Sequence, residues 1–246
     1  MLGNIFNKSR NAAAPDGKRI YAIGDIHGRA DLLDELLAMI EAEGGADSRR
    51  LIFLGDYVDR GPASKCVIER LTAIAEDHAE TIFLKGNHEA IMLDFLVDPA
   101  EKMHWLEWGG EETLESYGVT HVLGRTGEEL AADLSERLPG NHRAFLESLR
   151  LTHIEGDYVF VHAGLRPGVP LADQEEEDLL WIRKRFHDTP SKHRPDKVVV
   201  HGHQPIKKPI DAGWRIGVDT GACWSGVLTA VVLEETKRRF LSTGER

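Results

Sequence analysis

Seven short apolar runs punctuate the chain: Ile20 to Ile23, Leu51 to Leu54, Thr81 to Leu84, Tyr158 to Val161, Val198 to Val200, Arg215 to Val218 and Val227 to Leu233. They are rich in β-branched residues, most are bounded by Gly or Asp, and their length suits a strand, so each predicts one. Between the first two runs Leu32, Leu33, Leu36, Leu37 and Ile40 recur at helical spacing, and between the second and third Val67, Ile68, Leu71 and Ile74 do the same. The chain therefore opens as βαβαβ. From Ala90 to Arg150 strand signals give way to a helical pattern, broken at Trp105-Leu106-Glu107-Trp108-Gly109-Gly110 and restarted from Glu111 to Tyr117. This stretch, residues 90–150, predicts a helical cap beside the strand ends, with Trp105 and Trp108 equally suited to plug the core. Another helix is expected from about Asp173 to Phe186, acidic at its start and basic at its end as the helix dipole favours. Residues 1–18 carry no such pattern and no signal-peptide or membrane-spanning run, so they read as a flexible tail before one domain over 19–246.

The polar residues just beyond these runs change the picture. Asp25 and His27 follow the first, Asp56 the second, Asn87 and His88 the third, His162 the fourth and His203 the fifth. The steps from Asp25 to Asp56 and from Asp56 to Asn87 are both 31 residues, the length of a βαβ unit. Equal steps bring successive strand ends to one sheet edge, where open α/β sheets bind ligands. His201 competes with His203, because residues two apart on a strand share a face. Carboxylate, imidazole and amide oxygen without a thiolate suit Mn²⁺, Fe²⁺ or Zn²⁺, and so many imidazoles argue against a Mg²⁺ or Ca²⁺ cage.

Composition narrows the function further. With 41 acidic against 30 basic residues the formal charge is −11, which argues against nucleic acid or an anionic membrane as a partner while allowing one local basic pocket. The only cysteines, Cys66 and Cys223, are too few for a disulfide scaffold and lack zinc-site spacing. They read as buried thiols of a protein in a reducing cytoplasm.

The blocks Gly24-Asp25-Ile26-His27-Gly28, Gly55-Asp56-Tyr57-Val58-Asp59-Arg60-Gly61, Gly86-Asn87-His88-Glu89, His162-Ala163-Gly164 and His201-Gly202-His203 resemble, in order and chemistry, the phosphoprotein phosphatase branch of the calcineurin-like metallophosphoesterases. The bacterial Ser/Thr protein phosphatases match best, over roughly residues 19–233. The resemblance implies an α/β fold, an αββα sandwich of two mixed β-sheets flanked by helices, with a dinuclear centre of divalent transition metals, manganese favoured. In that pattern Asp25, His27 and Asp56 hold one ion, Asp56 bridges, and Asn87, His162 and His203 complete the other. Alignment with the family prefers His203 to His201, leaving His201 a packing role. A metal-bridging hydroxide would attack phosphorus directly, with no phosphoenzyme. His88, oriented by Asp59, would protonate the leaving oxygen, while Arg60 and Asn87 bind phosphate. Arg183, in Leu180-Trp181-Ile182-Arg183, matches the family's Trp-x-Arg and is preferred to Arg166 as a second clamp. Gly217-Val218-Asp219-Thr220-Gly221-Ala222 resembles a supporting Asp-Thr-Gly segment, and Gln204 departs from the Thr frequent in bacterial relatives. The implied activity is hydrolysis of phosphoserine and phosphothreonine in phosphorylated protein substrates, toward which the intact Asp59-Arg60-Gly61 leans. The alternatives are symmetrical hydrolysis of diadenosine tetraphosphate, and a catalytically silent phosphoprotein-binding module.

Overall fold

The computed structural model describes residues 12–45 and 49–244. Strands β1 (Arg19–Ile23), β2 (Arg49–Phe53) and β3 (Ile82–Phe83) run parallel, joined by helices α1 (Ala30–Ala42) and α2 (Ser64–Asp77). Antiparallel β9 (Thr229–Glu234) and β10 (Lys237–Ser242) complete a mixed sheet in the order β10-β9-β1-β2-β3. A second mixed sheet holds β4 (Thr152–Glu155), β5 (Tyr158–Val161), β6 (Val198–His201), β7 (Ile210–Asp211) and β8 (Arg215–Gly217), in the order β4-β5-β6-β8-β7. Within it β5, β6 and β8 are parallel.

The apolar runs are continuous because both faces of each sheet are covered. Ile20, Ala22, Ile52, Phe160, Val200 and Ile216 point between the sheets. Tyr21, Ile23 and Phe53 point instead at Leu33 and Leu36 of α1 and Val67 and Leu71 of α2. On the far side Val159, Val161 and Val199 meet Leu179, Ile182 and Phe186. The layers are thus αββα, as the resemblance implied. Each such fully buried side chain contributes about 1.5–3 kcal/mol, so a polar substitution anywhere along these runs weakens a layer contact. Among the described residues no helix is long and apolar enough to cross a membrane.

The expected cap is helical, with α3 (Asn87–Val97), a 3₁₀ turn (Met103–Trp108), α4 (Gly110–Ser116), α5 (Gly127–Arg137) and α6 (Gly140–Glu147). Thr126 caps α5 by accepting from the Glu129 N–H at 3.3 Å, the reciprocal capping box.

Several expectations need correction. Strands β4, β7 and β10 add to the seven expected runs and carry no strong apolar alternation; β10 is an edge strand with three charged residues, Lys237, Arg238 and Arg239. The helix expected over 173–186 is two short ones, α7 (Glu176–Trp181) and α8 (Lys184–His187), separated by extended backbone at Ile182 and a break at Arg183. Residues 12–18 are not the flexible segment expected: Ala12 and Ala14 are buried at the edge of the sandwich, and the Ala14 N–H donates to the Glu235 carbonyl at 2.8 Å. Alanine fills such a slot without leaving any periodic signature. Residues 1–11 lie outside the described residues. Cys66 is exposed on α2 and Cys223 half-buried, so neither is the buried thiol expected.

Candidate metal centre

The carboxyl ends of β1, β2 and β3 and those of β5, β6 and β8 open on one rim, and the polar residues beyond them converge there. Asp25, His27, Asp56, Asn87, His162 and His203 are all buried. The His203 N–H donates to both oxygens of Asp25, at 3.1 and 3.0 Å, tying the second sheet to the first. His162 Nδ1 lies 2.9 Å from the Leu54 carbonyl and His27 Nδ1 2.8 Å from the Val58 carbonyl. Each Nδ1–H therefore donates backward, leaving the Nε2 lone pair facing Asp56, 3.4 Å away for His162 and 3.5 Å for His27. The Asn87 Oδ1 lies 2.9 Å from both His162 Nε2 and His203 Nδ1.

Two groups of donor atoms result: His27, Asp56 and His88 in one, Asp56, His162 and His203 in the other, the atoms of each group lying within 4.8 Å of one another. Asp56 belongs to both, as a bridging carboxylate would. Asp25 does not join the first group; its carboxylate faces the His203 backbone.

Electrostatics point to bound cations. Burial lowers the His27 imidazole to about 3 and His203 to about 2, and lowers His162 as well. All three therefore present neutral lone pairs. Burial, then Asp219 and Asp56, push the Asp25 carboxyl well above its ordinary range, and burial lifts Asp219 to about 6. Burial would raise Asp56 too, but His162, His88, His27 and His203 outweigh it and hold the group down. Three buried carboxylates amid neutral imidazoles, with no thiolate, form a donor set suited to two divalent ions of the manganese, iron or zinc kind.

The backbone is strained at these positions. His27, Asp56, Asp59, Arg60 and His203 all have φ between 46° and 72°. A non-glycine residue held there costs about 1–2 kcal/mol, a cost the rim tolerates because each turn aims its side chain inward. Gly86 answers a different demand: a Cβ there would collide with the Asp56 carboxylate and stand 2.3 Å from its backbone nitrogen.

Above the donors, His88 Nδ1 meets the Asp59 Oδ2 at 2.6 Å, and its Nε2 turns toward Asp56 at 4.0 Å. Burial would lower the His88 imidazole, yet Asp56 and Asp59 leave it raised overall. Asp59 is locked in place. Trp105 Nε1 donates to Oδ2 at 2.8 Å, Thr113 Oγ1 to Oδ1 at 2.6 Å, and the Asp59 N–H donates to Thr113 Oγ1 at 2.8 Å and to Ser64 Oγ at 3.0 Å. Trp105 is thus both core plug and hydrogen-bond donor, while Trp108 is partly exposed and packs edge-on against Trp181. Arg60 Nη1 lies 2.5 Å from His27 Nε2. The break after α7 turns Arg183 to the rim, where its Nε donates to His203 Nε2 at 3.1 Å. Arg166 is held away from the rim by Asp178 and Glu175. His201 packs on Phe186 and His187, apart from the donor groups.

Asp219 is buried beside Asp25, in keeping with the supporting role of its segment, whereas Glu89 and Trp224 join the site with no role expected of them. Glu89 is buried, with Oε2 accepting from the Asp56 and Gly86 N–H at 2.9 Å each and Oε1 from those of Tyr57 and Val58 at 2.7 and 3.2 Å. Burial and then Asp56 push its carboxyl up to about 7. Its place three residues after Gly86 at the start of α3 is capping-box spacing, a signal the sequence did contain. Glu89→Gln would turn an amide NH₂ against two backbone N–H donors. It is expected to cost about 1–3 kcal/mol, read as a lowered denaturation midpoint of metal-free protein; an unchanged midpoint would mean that Glu89 does not hold the Asp56 turn.

Residues 18–227 match the family model of the calcineurin-like phosphoesterases. Among named proteins, the asymmetrical bis(5'-nucleosyl)-tetraphosphatase PrpE of Geobacillus thermodenitrificans is 28% identical over 238 residues, covering 86% of this chain and 89% of that protein. The PrpE of Bacillus subtilis, with the same activity in its name, is 29% identical over 231 residues, covering 84% and 87%. Among solved structures, a candidate diadenosine tetraphosphatase superposes with a TM-score of 0.64 at 21% identity, covering 95% of this chain and 97% of that one. A Saccharomyces cerevisiae protein serine/threonine phosphatase with similarity to human PP5 gives 0.57 at 15%, covering 97% and 86%. At those identities the structural likenesses establish the fold.

Proposed function

The chain belongs to the calcineurin-like phosphoesterase family and is a metallophosphoesterase hydrolase, and from that premise we propose that it hydrolyses a phosphoanhydride bond of dinucleoside tetraphosphates. One observation carries this reading. Arg60, Arg183 and Lys184 share the wall of a cavity of about 470 Å³ beside His203, and no carboxylate lines it. Three cations in one opening, on a chain of net charge −11, match a run of several phosphates better than a single phosphomonoester. The names of the PrpE relatives agree with it.

Two divalent ions, manganese the best suited, held by Asp25, His27, Asp56, Asn87, His162 and His203, would supply Lewis acidity and an activated water. The chain's own groups do the rest. Arg60 and Arg183 fork phosphate oxygens, a planar geometry that lysine lacks, and Asn87 adds a polar contact. Asp59, fixed by Trp105 and Thr113, holds the His88 ring so that Nε2 delivers a proton to the departing oxygen.

A second reading, hydrolysis of phosphoserine and phosphothreonine in proteins, draws support from that same His88–Asp59 pair. An alkoxide is a poor leaving group and needs a proton donor, whereas a departing phosphate chain needs one less. Manganese-loaded protein assayed side by side on diadenosine tetraphosphate and on phosphoserine, phosphothreonine and phosphotyrosine peptides separates the two. The expected result is the highest kcat/KM on diadenosine tetraphosphate, with AMP and ATP as products; two ADP would mark the symmetrical split instead. A higher kcat/KM on any phosphopeptide would overturn the dinucleotide reading and leave the metal centre standing.

A further inference from the structure

Trp224 stands at the mouth of the centre with 64% of its surface exposed. It belongs to a single helical turn, α9 (Ala222–Ser225), pinned between Gly221 and Gly226 at φ 71° and 72°. A Cβ at position 221 would lie 3.3 Å from Trp224 Cε3, so the missing side chain there lets the ring settle against the backbone. The Arg60 guanidinium lies 5.0 Å from the ring centroid and the His27 ring 6.5 Å away. Trp224 also lines the cavity that carries Arg183 and Lys184. The indole therefore lies against Arg60, polarised by a cation and open to solvent beside the phosphate-binding groups.

A large aromatic surface left in water loses the free energy that burial would give, and a flat π-face offers the same attraction to any base laid on it. Arg60 touches both the His27 ring and the indole, so a phosphate bound at its guanidinium lies within a nucleoside's reach of the π-face. A phosphate held at Arg60 would thus carry its own base to the indole, whereas a phosphoserine or phosphothreonine brings no ring to that place. We propose that Trp224 is the platform on which the nucleobase next to the reacting phosphate stacks. The inference rests on the nucleotide reading above and supplies the element that reading lacks, a group that recognises the nucleoside rather than the phosphates.

Binding calorimetry with AMP and with ribose 5-phosphate tests this directly, because the two ligands differ only in the base. Wild-type protein should bind AMP about 5- to 150-fold more tightly, the range of one base–aromatic stack. Trp224→Phe should keep most of that ratio, and Trp224→Ala should bring it near one. Since Arg60 touches Trp224, the alanine variant can weaken both ligands together, and the ratio cancels that shared loss. Trp224→Leu, which keeps apolar bulk without a π-face, takes its place should the alanine variant not fold. A wild-type ratio near one, or a ratio preserved in the alanine or leucine variant, overturns the proposal. Failure of the substrate reading shows separately, as absent turnover of diadenosine tetraphosphate by wild-type protein whose AMP preference is intact.

Discussion

Asp56→Asn is expected to yield a folded protein that loses metal from both halves of the centre and at least about 10²- to 10³-fold of its phosphoesterase rate, the scale on which removing one preorganised charge at a reacting oxyanion is felt. The carboxylate is the one group that belongs to both donor sets, with the imidazoles of His27 and His162 turned toward it from opposite sides. An amide of the same shape keeps one acceptor oxygen, so it still receives the His88 N–H, which lies 3.1 Å from Oδ1 in the wild type. It cannot supply the second oxygen or the negative charge. Elemental analysis of wild type and variant after dialysis decides the matter. Two ions per chain and a full rate in the variant would show that Asp56 does not bridge, and a single ion in fully active wild type would remove the dinuclear centre altogether.

Much of this architecture was legible because strands buried on both faces announce themselves as apolar runs, and because the residue after such a run lands on the sheet's carboxyl edge. Asp25, Asp56 and Asn87 follow from that rule, and the structure brings Asp56 and Asn87 together with His162 and His203, with Asp25 joined to them through the His203 backbone N–H. What the sequence hid has physical causes. β10 lies at a sheet edge, where the inward position beside Phe240 is taken by Arg238, which packs on the Tyr158 ring and pairs with Asp211, so apolar alternation fails as a signal. Ile182 and Arg183 sit within a helical pattern, and the break that turns Arg183 to the rim is imposed by tertiary contacts of Ile182 and Phe186 with the second sheet. The hold of Trp105 and Thr113 on Asp59 joins positions 46 and 54 residues away, a pairing created only when the cap folds back over the rim. Exposure of Trp224 likewise appears only in three dimensions, since the sequence offers nothing beyond an aromatic residue in a glycine-flanked turn.

His88→Asn is expected to slow substrates in proportion to how poorly their leaving groups depart, and this separates its role from that of every phosphate-binding residue. The ring is fixed at Nδ1 by Asp59 and presents Nε2 to the site, the arrangement of a proton donor rather than of a phosphate fork. Asparagine can still hydrogen-bond Asp59 but carries no transferable proton. General-acid assistance is worth about 10²- to 10⁴-fold, so a phosphoserine peptide should lose that much. An aryl phosphate with an acidic phenol should lose far less. Diadenosine tetraphosphate, whose leaving oxygen belongs to a phosphate chain, should fall nearer the aryl phosphate than the peptide. Because His88 also lies against Asp56 and His27, its loss could act through metal retention, in which case all three substrates would slow by the same factor. Equal losses at matched metal content would therefore reject the proton-donor role, and a graded series would establish it whichever substrate the enzyme prefers.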